Sequence, residues 1–137
     1  MANEDLLLRS MPHSLEGEQV VLGSMLIDPN CVGAVMRKLR PDDFHLRRNR
    51  EIFETISAMF VSGAPIDGFT VAGEMERRGT YDENITPSYL AQLIEITPTS
   101  ANAMEYAKIV AEKSALRSLA RAAAEVTAHD SGRSRRF

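Results

Sequence analysis

The feature that most constrains this fold is a long C-terminal segment without a helix-breaking residue. From about residue 100 to about residue 129 the chain contains neither proline nor glycine. Such a segment is typical of one continuous helix. About 28 residues at ~1.5 Å per residue give a length of roughly 42 Å. Because this exceeds the diameter of a small head built from the preceding residues, we expect the helix to project beyond it.

The residues before this segment are predicted to form a series of shorter helices. Apolar side chains recur three and four positions apart, and no stretch alternates at period two as a strand would. The predicted helices are a first capped by Ser14 and ended by Asp28-Pro29, a second from Pro29 to Pro41, a third over 48–62, a fourth capped by Thr70 and ended by Gly79, and a fifth opened by Thr86-Pro87 and closed by Thr97-Pro98. The predicted fold class is therefore all-α, with a compact multi-helix head followed by one long projecting helix.

These helices divide the chain into four parts. Residues 1–11 show no useful periodicity and are predicted to be a flexible N-terminal lead-in. Residues 12–97 form the helical head, and residues 98–130 form the long helix. Residues 131–137 are predicted to be a mobile tail, since a terminus that docks on nothing is usually mobile.

Bulk properties exclude several classes of protein. The formal net charge of −3 argues against a domain whose own task is to grip a nucleic-acid backbone. Cys31 is the only cysteine, so no intramolecular disulfide is possible and a reducing compartment is expected. No apolar run approaches the ~20 residues of a membrane span, so we expect a cytoplasmic protein without a membrane partner.

The sequence shows no motif for phosphate, cofactor or metal binding. No glycine is followed at the right spacing by Gly-Lys-Ser or Gly-Lys-Thr, the pattern of a P-loop. His13, His45 and His129 lie far apart, and none has a metal-ligand spacing with Cys31. Cys31 itself is interpreted as a small buried hydrophobe. This chain alone is therefore expected to hold no catalytic residue, no cofactor and no metal.

Two pairs of acids could be imagined as general acid and base. Glu16 and Glu18 lie in the first turn of the first predicted helix, and Asp42 and Asp43 follow Pro41. Acids at helix starts far more often stabilise the helix dipole or cap its N-terminus. Both pairs are therefore interpreted as structural.

The long helix carries an apolar seam at heptad spacing, which Glu112 interrupts. The seam could pack back on the head of its own chain, or it could contact another subunit. Burying a leucine contributes about 2 kcal/mol, so an isolated helix would not leave such a seam exposed. The length of the helix favours contact between subunits for its C-terminal half. The predicted self-association residues are Ile109, Leu116, Leu119, Ala123 and Val126.

A basic row lies on the same helix at intervals of four. It consists of Lys113, Arg117 and Arg121. The simplest interpretation is a solvated face. The second is a surface for an acidic patch on a partner, and DNA comes third because the net charge of the chain has the wrong sign.

A set of short phrases in fixed order resembles one known family. The phrases are Pro12-His13-Ser14-Leu15-Glu16-Gly17-Glu18-Gln19 running into 21–29, Pro41-Asp42-Asp43-Phe44 with 49–53, 63–67 with Thr70-Val71, Tyr89-Leu90-Ala91-Gln92-Leu93, 98–102 and 106–110. Together they resemble the N-terminal domain of DnaB-type replicative DNA helicases over about residues 12–127. The chain departs from the family pattern at Gly68-Phe69, at His45 and at 84–88, where the family usually has a glycine pair. Chromosomal, plasmid or phage origin stays open.

The resemblance implies a hexameric, ATP-dependent helicase that moves 5′ to 3′ on single-stranded DNA. Its motor domain, with ATP and Mg, is expected outside this chain. In the family the N-terminal domains pair through a helical hairpin and close into a ring collar, where primase docks. The long helix would be the first arm of that hairpin, and the helicase loader is a further expected partner. The tail near Phe137 would approach the hairpin turn.

Two other functions stay open from the sequence. One is a free-standing helical adaptor of the replication machinery, which would lack a downstream P-loop domain. The other is a small helical DNA-binding domain, which would need salt-sensitive affinity for DNA in the isolated chain.

Overall fold

The computed structural model describes the backbone of residues 11–134 and the side chains of residues 11–127. Six α-helices and no strand lie within this range, so the predicted all-α class is confirmed. The helices are α1 Leu15–Ile27, α2 Val32–Lys38, α3 Arg47–Ser62, α4 Gly68–Arg78, α5 Thr86–Glu95 and α6 Ala103–Ser134, with short 3₁₀ helices at Pro29–Cys31 and Pro41–Asp43.

The flexible lead-in and the mobile tail stay predictions, because both ends of the chain lie largely outside the described residues. Residues 1–10 of the predicted lead-in and residues 135–137 of the predicted tail lie outside the described residues. The backbone of α6 continues to Ser134, past the predicted end of the long helix at residue 130. A single glycine at position 132 costs about 1 kcal/mol in a helix, which is too little to end one.

The caps of the helices follow the prediction at α1 and differ at α4 and α5. The hydroxyl of Ser14 accepts a hydrogen bond from the first turn of α1. At α4 the cap is Asp67, whose carboxylate accepts from Thr70 N, while Thr70 Oγ1 accepts from Asp67 N. At α5, Thr86 is the first helical residue and its hydroxyl accepts from Asp82 N. Asp67 and Thr70 thus form a capping box, in which Thr70 is the partner inside the first turn. The cap residue of α5 is Ile85, which makes no side-chain cap bond, and Thr86 instead holds the turn before the helix through Asp82 N.

Helix α1 is the centre of the head and contacts α3, α5 and α6. Val21, Leu22 and Met25 are fully buried on it. A side chain at Gly23 would overlap Thr97 Oγ1 and a carbonyl at the end of α5, so this close approach requires glycine. In the described part of the chain no single helix is both long and apolar enough to cross a membrane. In that part of the chain, the one pair of helical segments that reaches this length and apolarity together is α1 with Pro29–Lys38, and the two segments are bent by 116° relative to each other.

The other half of the core forms where α3 packs under the connector between residues 40 and 46. Phe53 on α3 and Phe44 in the connector are both buried, and their ring centroids lie 4.8 Å apart. Edge-tilted aromatic pairs at this distance contribute about 1 kcal/mol beyond the burial of their area. The Phe44 side chain is thus the apolar contact between this connector and the core.

We predict that Phe53→Ala lowers the free energy of unfolding by about 3–5 kcal/mol, because it leaves a cavity in this core. Phe69→Ala is the matched control, since that side chain is 89% exposed and its loss should change little. Urea unfolding of both variants measures the difference. Equal small changes would show that Phe53 does not carry core packing.

Candidate protein interface on the long helix

Helix α6 has a head-facing half and a free half. Ala103, Ala107 and Val110 are buried against the head, and the last buried residue is Arg117. Every described side chain from residue 118 to residue 127 is exposed. The backbone stays helical for a further ~25 Å beyond Arg117, at ~1.5 Å per residue to Ser134. The predicted projection of the long helix beyond the head is confirmed.

The predicted apolar seam lies on the exposed side of this helix. The exposed fractions are 46% for Leu116, 67% for Leu119 and 60% for Val126, and Ala123 is exposed as well. At about 100° per residue, Leu119 lies roughly 160° around the helix from Arg117. The seam therefore faces away from the head of its own chain, and the interpretation that it packs back on that head does not hold.

Ile109 is less exposed than Leu116, Leu119 and Val126 and is separated from them along the helix. It is 37% exposed, and the exposed Glu112 separates it from Leu116. Beyond Glu112 the exposed seam positions Leu116, Leu119, Ala123 and Val126 follow one another at spacings of three and four. The structure thus concentrates the candidate interface in the half of α6 that leaves the head.

The predicted basic row does not form one surface. Arg121 is exposed and Lys113 is half-buried, but Arg117 is only 2% exposed. Residues four positions apart are rotated by about 40° around a helix, so the three side chains point in different directions and Arg117 points at the head. There the guanidinium of Arg117 donates to the carbonyl oxygens of Pro12, at 2.8 Å, and Asp43, at 2.7 Å. Arg117 is therefore removed from the predicted partner surface.

Arg117 is a buried cation whose charge is only partly compensated. Burial lowers its pKa below the ordinary value, and the neighbouring Arg121 and Arg50 add to this decrease. The carboxylates of Glu18 and Asp43 oppose the decrease. A cation in this position is tolerated because two carbonyl oxygens accept hydrogen bonds from it.

Glu18 is the second buried charge that organises this region. Its side chain is 1% exposed, and its carboxylate accepts from His45 N at 2.7 Å, Leu46 N at 3.4 Å and Asn49 Nδ2 at 2.9 Å. Glu18 is thus structural, through buried hydrogen bonds to the connector and to α3 rather than through the helix dipole alone. One signal in the sequence could have revealed this: Glu18 lies three and seven positions before Val21 and Met25, on the apolar face of α1.

The hydrogen bonds of Glu18 continue into α5. Asn49 Oδ1 accepts from the hydroxyl of Tyr89 at 2.6 Å, and Gln19 Nε2 donates to the same hydroxyl at 3.4 Å. The guanidinium of Arg48 lies 5.1 Å from the centroid of the Tyr89 ring. Burial raises the pKa of Tyr89, and its hydrogen bonds and Arg48 partly offset the increase. The polar network thus connects α1, α3 and α5.

The described residues also include one free thiol and an open cleft. No group of three or more His, Cys, Asp or Glu residues could hold a metal ion among residues 11–127. Burial, with a smaller contribution from Asp28, raises the pKa of Cys31 to about 11, so its thiol is protonated at neutral pH. An open cleft of about 450 Å³ lies between α4 and α5, with Phe69, Leu90 and Ile94 in its walls.

Comparison with known proteins identifies the relatives of this fold. The family model of the DnaB-like helicase N terminal domain matches residues 10–112. The replicative DNA helicase DnaB of Mycobacterium leprae (strain TN) is 40% identical over 118 residues, which is 86% of this chain and 20% of that protein. The corresponding protein of Geobacillus stearothermophilus is 37% identical over 118 residues, 86% of this chain and 26% of its own length. The chain thus spans about a quarter or less of the length of these curated relatives.

Solved structures show the same relation. The N-terminal domain of DnaB helicase from Mycobacterium tuberculosis superposes with a TM-score of 0.85 at 39% identity, over 88% of both chains. The N-terminal domain of DnaB helicase from Helicobacter pylori, whose structure is described together with its interactions with primase, has a TM-score of 0.74 at 20% identity. It covers 91% of this chain and 95% of its own. The latter likeness concerns the fold alone.

We predict that Glu18→Gln lowers the free energy of unfolding by about 1–3 kcal/mol, since an amide cannot accept all the bonds that the carboxylate accepts. Glu16→Gln is the matched control: it removes an acid from the same helix turn, but from an exposed position. Its effect should stay within about 0.5 kcal/mol. Chemical denaturation measures the free energy of unfolding of both variants. Equal decreases would indicate an effect of the helix dipole and would contradict the role of Glu18 as a buried acceptor.

Proposed function

The chain belongs to the family of DnaB-like helicase N-terminal domains, and we propose that it is the assembly and partner-recruitment domain of an ATP-dependent replicative helicase. The observation that carries this proposal is the exposed apolar face of α6. Exposed leucines on a helix that leaves its own head favour a partner helix, because each buried leucine contributes about 2 kcal/mol. The partner that we propose is α6 of a second copy of the chain.

The proposed assembly explains why the free half of α6 is rich in small residues. Ala115, Ala120 and Ala123 lie among Leu116 and Leu119 and would let a second helix approach closely. Pairs formed in this way would be the units of a hexameric ring collar. A helicase loader would bind the same collar. The motor, with ATP, Mg and the site for single-stranded DNA, would lie in the part of the relatives that this chain does not cover.

We predict that replacing both Leu116 and Leu119 by aspartate weakens self-association and leaves the head folded. Two carboxylates in a seam that must be dry when paired cost several kcal/mol. Both leucines lie on the exposed side of α6, outside the core of the head. Sedimentation at several concentrations measures association, and circular dichroism measures helicity.

The control for charge is Ser118→Asp with Arg121→Gln, which changes the net charge by the same amount away from the seam. It should associate like the wild type. A wild type that stays monomeric at high concentration would contradict the proposal for this chain. A leucine variant that unfolds outright would show that the seam belongs to the core of the domain.

We further propose that the domain contacts primase. The support is the Helicobacter pylori domain of the same fold, which is described with its interactions with primase. On this chain Lys113 and Arg121 remain as accessible members of the basic row, and they suit an acidic patch on a partner.

We therefore predict that Lys113→Glu with Arg121→Glu weakens binding of primase from the same organism, and most strongly at low salt. Arg77→Glu with Arg78→Glu, two exposed positions at the end of α4, is the control with the same charge change. Calorimetric titration gives the two dissociation constants. Equal constants for the two double variants would remove Lys113 and Arg121 from the primase contact.

A further inference from the structure

The last point at which α6 touches the head is polar, unlike the contacts before it. The apolar contacts come from the buried Ala103, Ala107 and Val110 and from the partly buried Tyr106 and Ala111. Beyond them Ser114 Oγ donates to Asp43 Oδ1 at 2.7 Å, and the Arg117 guanidinium donates to Asp43 O. Small apolar side chains let a helix slide and tilt, whereas hydrogen bonds at fixed angles do not. The direction of α6 therefore depends on its contact with Asp43.

Asp43 is itself a fixed point, because the connector from residue 40 to residue 46 is held from several sides. The carboxylate of Glu18 accepts from His45 N and Leu46 N. Arg50 Nη1 donates to the carbonyls of Phe44, at 3.1 Å, and His45, at 2.9 Å. The second carboxylate oxygen of Asp43 accepts from a backbone N–H of the same connector, at 2.7 Å. Asp43 therefore meets α6 in one orientation.

Arg117 also fastens the chain that enters α1. Its Nη1 donates to Pro12 O at 2.8 Å, while its Nη2 donates to Asp43 O at 2.7 Å. The fork of a guanidinium holds both acceptors in one plane, which a lysine cannot do. One side chain thus joins three segments that are distant in the sequence.

The length of α6 amplifies any change at this contact. From Val110 to Ser134 the helix extends for ~36 Å, at ~1.5 Å per residue. A tilt of about 10° around Val110 would move the far end by ~6 Å, which exceeds one helical turn of ~5.4 Å. A displacement of that size changes which side chains of the seam meet those of a partner.

We propose that Arg117, with Ser114 and Asp43, is the positioning residue that sets the direction in which α6 leaves the head. By doing so it sets the geometry at which the apolar seam meets a second copy, a consequence that rests on the proposed self-association. Arg117 is buried against the head, roughly 160° around α6 from Leu119 and roughly 100° from Leu116, so it acts through the orientation of the helix and not by touching the partner.

Electron–electron distance measurements between two spin labels test this directly. Labels at Glu54→Cys on α3 and Glu125→Cys on α6 occupy exposed positions, with Cys31→Ala to remove the native thiol. Dilution with unlabelled protein restricts the signal to distances within one chain. We expect one narrow distance distribution without further change. In Arg117→Met we expect that distribution to broaden or to shift by up to ~4 Å, because Glu125 lies ~22 Å along the helix from Val110.

Arg121→Met is the matched control, since it removes the same side chain one turn further along, from an exposed position. It should leave the distribution unchanged. If circular dichroism shows that Arg117→Met does not fold, Arg117→Lys and Ser114→Ala take its place, with smaller broadening expected. An unchanged distribution in a folded Arg117→Met, or in both milder variants, overturns the proposal.

Sedimentation of the same variants separates this inference from the proposed function. If the wild type does not associate, the proposed self-association is refuted. If the spin-label distance distribution still broadens in Arg117→Met, the positioning role is supported. If the wild type associates and Arg117→Met has a broader distance distribution but the same association constant, the link between helix direction and pairing is refuted.

Discussion

The buried carboxylate of Glu18 is the interaction on which the rest of the structure depends. Burying a carboxylate is costly unless its oxygens are fully hydrogen-bonded. Here the donors come from the connector backbone and from Asn49, so the charge of α1 and the irregular chain at residues 45–46 stabilise each other. The connector, of which only Pro41–Asp43 is a 3₁₀ helix, is thereby held on the core. Phe44 packs on Phe53 as a result, and Asp43 is presented to α6.

The two sides of α6 make different kinds of contact, and this difference connects the fold to the proposed function. The head-facing side combines small apolar residues with the polar bonds of Ser114 and Arg117. The opposite side carries Leu116 and Leu119, exposed in the single chain. The first side orients the helix and the second offers apolar area to a partner. A domain whose role is assembly needs both properties on one rigid element, since a well-directed seam costs less to order on binding.

Local patterns predicted most of the helices, because caps and apolar periodicity act over a few residues. Ser14 capped α1 as expected, and Phe53 is in the core. Thr70 and Thr86 were predicted as N-caps, but both lie inside the first turn of their helices. There each hydroxyl accepts a hydrogen bond from the backbone N–H of a preceding aspartate. The seam was predicted from its heptad spacing, and the structure adds that it faces away from the head.

By itself the sequence determined that the chain is helical, where its core stripes lie and that its last helix outgrows the head. Those properties depend on propensity and on spacing along one segment. Only the tertiary structure decided the roles of Glu18 and Arg117, whose partners lie 27 to 105 positions away in the chain. In the sequence Arg117 is one member of a basic row and Glu18 is one acid at a helix start. Whether such a charge meets water or a buried acceptor depends on which segments the fold brings beside it, and no local spacing records that.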